Sequence, residues 1–88
     1  MLKTLIALTA LALAVPTNSA RICTPPVGKK WLTLAEMRKA AAKQGYKGFQ
    51  IGVEAGCYEG EGTKNGKKLE VYFDPITGKV VKVQEDRD

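Results

Sequence analysis

Apolar and polar residues change rhythm along the chain. From Leu5 to Val15 the run is apolar but for Thr9, from Leu32 to Tyr46 apolar residues return at helical spacing, and from Phe49 onward they alternate. The middle pattern, "WLTLAEMRKAAAKQGY", predicts one amphipathic helix. Thr33 is its N-cap, and Glu36 three residues later completes a capping box that satisfies two otherwise orphaned backbone donors. Leu32 before the cap and Met37 inside the helix can close a hydrophobic staple. Leu34, Met37 and Ala41 form an apolar stripe, widened by Ala35, Ala40 and Ala42. Arg38, Lys39 and Lys43 fall on the wet side and suit the negative end of the helix dipole. Gly45 supplies the left-handed residue that ends the helix.

The alternating part predicts strands. Phe49, Ile51 and Val53 alternate with Gly48, Gln50 and Gly52, Cys57 to Gly62 reads as a second strand, and Leu69, Val71 and Phe73 alternate with Glu70 and Tyr72 in a third. Asn65-Gly66 between the last two is a strong two-residue hairpin signal, because both residues accept positive φ. Counting from that turn sets Gly62 opposite Leu69, Gly60 opposite Val71 and Tyr58 opposite Phe73. The two glycines then leave room for the helix to approach the inner face. The same count sets Glu61 against Glu70 on the outer face, a small unfavourable term. A bulged three-residue loop would instead turn Glu59 and Glu61 inward, at greater cost. Tyr58 falls on the inner face and Tyr72 on the outer one, between Glu59 and lysines. Val80, Val81 and Val83 form a last strand. The expected fold is α+β, one N-terminal α-helix packed on a single antiparallel sheet of three to four strands.

Before the last strand stands Asp74-Pro75-Ile76-Thr77-Gly78. Pro75 presets φ for a turn, the Asp74 carboxylate can accept backbone N–H groups, and Gly78 provides a positive φ on leaving. Asp74 and Thr77 also offer oxygens to a cation, but calcium wants six to eight, usually from several carboxylates, and this loop has one acid. The group reads as a corner.

The apolar run at the start changes the picture of where the protein acts. Lys3, the apolar run, Pro16 and a small polar tail ending at Ala20 follow the order of a secretory signal peptide, with cleavage expected after Ala20. The run is too short to cross a bilayer, for which roughly 20 apolar residues are needed, so no integral span is expected after cleavage. Ile22, before Cys23, is too bulky for lipoprotein processing. The division read from the chain is signal peptide 1–20, irregular arm 21–30 with Pro25, Pro26 and Gly28, folded domain 31–84 and charged tail 85–88. The expected location is the periplasm or the medium.

Of 88 residues, 68 remain after such cleavage, enough for one small domain that needs extra constraint. Cys23 and Cys57 are the only cysteines, and both lie in the exported part. In an oxidising compartment the pair reads as a disulfide, closing a loop of about 35 residues for roughly 3–4 kcal/mol. A two-thiolate metal site and a redox pair are the alternatives. The chain has no histidine, no further cysteine and no Cys-x-x-Cys to favour either. Because Cys57 shares the parity of Glu59, the Cys23 arm is expected to cross the outer face. Lys and Arg number 14 against 9 acids, a mild and interspersed excess.

The chain from Trp31 onward resembles the PepSY domain family, on "QGY" (Gln44 to Tyr46), "GCYEGEG" (Gly56 to Gly62) and "NGKKLEVYFDPITGKVV" (Asn65 to Val81) with its DPxTG hairpin. The resemblance implies a helix on an antiparallel sheet. It also implies a protein that binds, or restrains, an envelope or secreted protease supplied in trans, since no peptidase follows within the 88 residues. An N-terminal cysteine paired with that of "GCYE" looks like a feature of small stand-alone members. No family active-site residues exist to carry over.

Other chemistry is poorly supplied. Without histidine there is no imidazole base, and the one serine, Ser19, lies in the leader. Glu54, Glu59, Glu61 and Glu70 could pair as carboxylates but read as solvated outer-face residues. "YKGFQIGV" (Tyr46 to Val53) matches an RNA-binding strand only at Lys47, Gly48 and Phe49, and Ile51 stands where a second stacking aromatic belongs. No enzyme, no cofactor, no metal and no nucleic acid is expected. Trp31, Tyr72, Lys67 and Lys68 are the candidate partner contacts, although for Trp31 folding over the helix N-terminus and the sheet edge is the favoured reading. The expected partner is a protein, a protease first among candidates. A module that binds another envelope protein, an anionic surface or a small ligand is the alternative.

Overall fold

The computed structural model describes residues 21–86, so the leader read in residues 1–20 lies outside them. One helix, α1 (Leu34–Lys43), precedes four strands, β1 (Gln50–Glu54), β2 (Cys57–Lys64), β3 (Lys67–Phe73) and β4 (Val80–Glu85). The strands form a single antiparallel sheet in the order β1-β2-β3-β4. The helix is the first element of the fold but sits mid-chain, after the arm. Among the described residues no helix is long and apolar enough to cross a membrane.

The helix starts at its capping box. Thr33 Oγ1 accepts the Glu36 N–H at 3.1 Å, and Glu36 Oε1 accepts the Thr33 N–H at 2.8 Å. Gln44 is the C-cap and Gly45 follows with φ 102°. Met37 and Ala41 are buried and Ala40 packs beside them, but Leu34, expected in the same stripe, is 41% exposed. Leu32 takes its place in the core, because its N–H donates to the Pro75 carbonyl at 2.9 Å and draws the chain over the sheet before the helix begins. At the other end the Gln44 amide bridges three segments. Its Nε2 donates to the Ala40 and Gly78 carbonyls at 2.9 and 2.7 Å, and its Oε1 accepts the Val80 N–H at 3.0 Å.

The hairpin register is the one counted from Asn65-Gly66, with Gly62 on Leu69, Gly60 on Val71, Tyr58 on Phe73 and Glu61 on Glu70. Asn65 and Gly66 take φ 53° and 80°, the pair of values a two-residue turn of this hand requires. The space above the two glycines is filled differently from the expectation. It is the ring of Phe49, not the helix, that lies on Gly62, where a Cβ would meet three ring atoms at 2.6–2.9 Å. Phe49 enters just ahead of β1 and its ring meets Tyr46 edge-on at 5.3 Å. Met37, Ala41, Phe49, Val71 and Phe73 make the inner core.

Ala55 and Gly56 form a second two-residue turn, between β1 and β2, with φ 56° and 83°. A left-handed alanine is unfavourable, and here its carbonyl accepts the N–H groups of Ile22 and Cys23 at 2.9 and 3.1 Å. These bonds lay the arm against the sheet beside the Cys23–Cys57 disulfide. Cys23, Cys57 and Tyr72 then form a second small core on the outer face.

At the corner, Asp74 Oδ1 accepts the N–H groups of Ile76 and Thr77 at 2.7 and 3.2 Å, and Thr77 Oγ1 accepts that of Lys79 at 3.2 Å. The backbone closes the turn with Gly78 N–H on the Asp74 carbonyl at 2.7 Å. β4 then pairs with β3 through a bulge that leaves Val81 between the partners of Phe73 and Tyr72. The strand includes Glu85, and the Asp86 N–H bonds the Lys68 carbonyl at 2.9 Å, so the ladder reaches into the segment read as a tail.

Candidate functional site

Strand alternation and the observed register divide the outer face into two ends. At one end Cys57, Cys23 and Tyr72 are buried together beneath the arm. At the other, Gln50 stands opposite Glu61, Gly52 opposite Glu59, Glu61 opposite Glu70 and Glu70 opposite Gln84. Carboxylate oxygens of Glu59, Glu61 and Glu70 lie within 4.8 Å of one another. Such a grouping of three acids could hold one cation between them.

Glu59 departs from the sequence reading. It was expected to be solvated and is 7% exposed, held between Gly52 on one side and Tyr72 on the other. Burial pushes its carboxyl up to about 7, and the charges of Glu61, Glu70 and Glu54 push in the same direction. Glu70 is better supplied: its Oε1 accepts from the Gln84 amide at 3.0 Å and the Tyr72 hydroxyl at 3.3 Å. Tyr72 is itself pushed up to about 12, first by burial and then by Glu70, Glu59 and Glu54. Beside Glu59 and Glu61 an open cavity of about 320 Å³ is bounded by Gln50, Ile51 and Gly52.

A pH dependence follows. In the unfolded chain Glu59 titrates near 4.5 and in the fold near 7, so between these values the folded state holds more protons. Stability is therefore expected to fall as pH rises from 4.5 to 7 and to stay at the lower level above. With solvent screening from the open side, the loss is about 1–2 kcal/mol. Glu59→Gln should flatten this slope in denaturant melts taken at pH 5 and pH 8. A slope that survives the substitution would assign it to other groups.

The candidate contacts read from sequence are not gathered in one patch. Trp31 is half-buried, its ring edge-on to Tyr58 at 5.2 Å, and the Tyr58 hydroxyl donates to the Leu32 carbonyl at 2.7 Å. Tyr72 lies on the outer face as counted, but it is 6% exposed and has little surface to offer a partner. Lys67 and Lys68 are exposed at the far end of β3, near the Asn65-Gly66 turn. The acidic grouping went unread because the β1–β2 register did. The symmetric frame Glu54-Ala55-Gly56-Cys57 is the signal that could have set it, placing Gly52 against Glu59 by counting.

The model of the peptidase propeptide and YPEB domain family, PepSY_2, matches residues 2–84. The chain belongs to this PepSY family. No curated protein and no solved structure matches the chain. A helix on a four-stranded antiparallel sheet, the architecture expected from the PepSY resemblance, is the one found, and the disulfide within it fits an oxidising environment. This PepSY chain has no histidine and so no imidazole base.

Proposed function

We propose that this PepSY protein is an exported, non-catalytic binding module that restrains a protease in trans. The observation that carries the reading is the family match over residues 2–84, in a family described by peptidase propeptides. The disulfide supports an extracytoplasmic site of action, and the leader-like pattern of residues 1–20 points the same way. An antiparallel sheet with two open edges offers strand addition as the docking mode, in which backbone hydrogen bonds supply affinity and alternate side chains supply selectivity.

The test is titration of the oxidised protein against individual proteases purified from the same envelope or culture fluid. One protease is expected to lose activity in proportion to added protein, with the inhibitor recovered uncleaved. Full activity across the set, with no complex on size-exclusion chromatography, would overturn the reading. A module without inhibitory action would then be the better description, tested in its electrostatic form by salt-sensitive retention on anionic vesicles that depends on Lys67 and Lys68.

A further inference from the structure

The two edges of the sheet differ. β4 carries a bulge at Val81, and its sequence "VVKVQE" holds charges at Lys82 and Glu85, features that discourage another strand from pairing. β1 has neither device. Its five residues pair regularly with β2, it contains no proline, and its one charge is the terminal Glu54. Val53 is 64% exposed on it. Beside this open edge, on the outer face, lies the cavity bounded by Gln50, Ile51 and Gly52 and ending at Glu59 and Glu61.

Two features of that cavity point to a ligand. Glu59 is a buried carboxyl whose surrounding charges, Glu61, Glu70 and Glu54, are all acids, and it shares a hydrogen bond with the Glu61 carboxyl. Gly52 lies between the edge and Glu59, and no atom stands within 4 Å of the place its Cβ would occupy. Adjacent strands lie about 4.8 Å apart, so a strand added to β1 has its outer-face side chains two spacings from Glu59. A long side chain laid across Gly52 closes that gap. We propose that β1 and the carboxylate pocket together receive an extended partner segment bearing one Lys or Arg, the backbone pairing with β1 and the cationic side chain crossing Gly52 to Glu59, Glu61 and Glu70. The chemistry favours a side-chain cation over a bare metal ion. The cavity opens at the edge across Gly52, whose missing side chain leaves room for an aliphatic stem, and Glu70 already has its Oε1 engaged by Gln84 and Tyr72.

This inference deepens the strand-addition reading above and rests on it for the kind of partner. The probe is an acetylated, amidated heptapeptide of alternating threonine and valine with a central arginine, paired with the same peptide carrying neutral citrulline. Calorimetric titration is expected to show the arginine peptide binding at least tenfold more tightly, with amide resonances of β1 shifting and those of β4 unmoved. Glu59→Gln and Gly52→Leu should each weaken binding at least tenfold without lowering the melting temperature. Equal affinity for the two peptides, shifts confined to β4, or no binding at millimolar peptide would overturn the proposal. So would calcium binding to the three carboxylates that excludes the peptide. The two readings fail separately. Protease inhibition untouched by Glu59→Gln and Gly52→Leu would sink the pocket alone, and peptide binding without any inhibited protease would sink the protease reading alone.

Discussion

A variant with Cys57 replaced by serine is expected to melt roughly 12–30 °C below the oxidised protein. The bridge joins residues 34 apart, and closing a loop of that length removes about 3–4 kcal/mol of denatured-state freedom. In a domain of this size each kcal/mol moves the midpoint by about 4–8 °C. Local packing adds to the loss. Cys57 is fully buried against Cys23 and Tyr72, and the bridge holds the arm where Ile22 and Cys23 donate to the left-handed Ala55. Reduction of the unaltered protein and the Cys23→Ser variant should give the same fall, because each removes the same bridge. Thermal melts by circular dichroism with and without reductant decide it. Coincident curves would show that the staple contributes nothing to stability.

Replacing Gly62 with valine is expected to destabilise the fold by about 2–3 kcal/mol, the upper part of the range for forcing volume into a closed core. A Cβ at this position enters the ring of Phe49, and the ring is held from behind by Tyr46 and alongside by Gly60, whose own added Cβ would meet Phe49 and Phe73. Gly52→Ala is the matched control, a strand glycine of the next strand with open space where its Cβ would stand. It should move stability by no more than about 0.5 kcal/mol. Chemical denaturation of the two variants gives the comparison. Equal midpoints would mean that the space above Gly62 is not closed.

Much of this fold can be read from local chemistry. Thr33 and Glu36 mark the helix start by satisfying their own neighbours, and Asn65-Gly66 sets a register by simple counting. The corner at Asp74 builds itself from side-chain oxygens and backbone N–H groups a few residues away. Where a residue's environment comes from distant chain, the reading weakens. Leu34 and Leu32 differ little in sequence terms, and which of them enters the core is settled by Pro75, more than forty residues on. The room above the glycines is a property of the hairpin, but what fills it depends on how the chain enters β1. The burial of Glu59 is the most consequential case. Alternation places it correctly on the outer face, and only the unread Ala55-Gly56 turn sets it between Gly52 and Tyr72.

The Gln44 amide behaves as a borrowed peptide unit: it donates where a backbone N–H would and accepts where a carbonyl would, toward chain more than thirty residues away. Gly78 seals the same junction, because a Cβ there would press on Ala40 and Leu32. The "QGY" and "DPITG" stretches, separate words in the sequence, are thus two halves of one joint. Grafting either half alone onto another PepSY chain would leave a donor or an acceptor stranded at the seam, so the two must be exchanged as a pair.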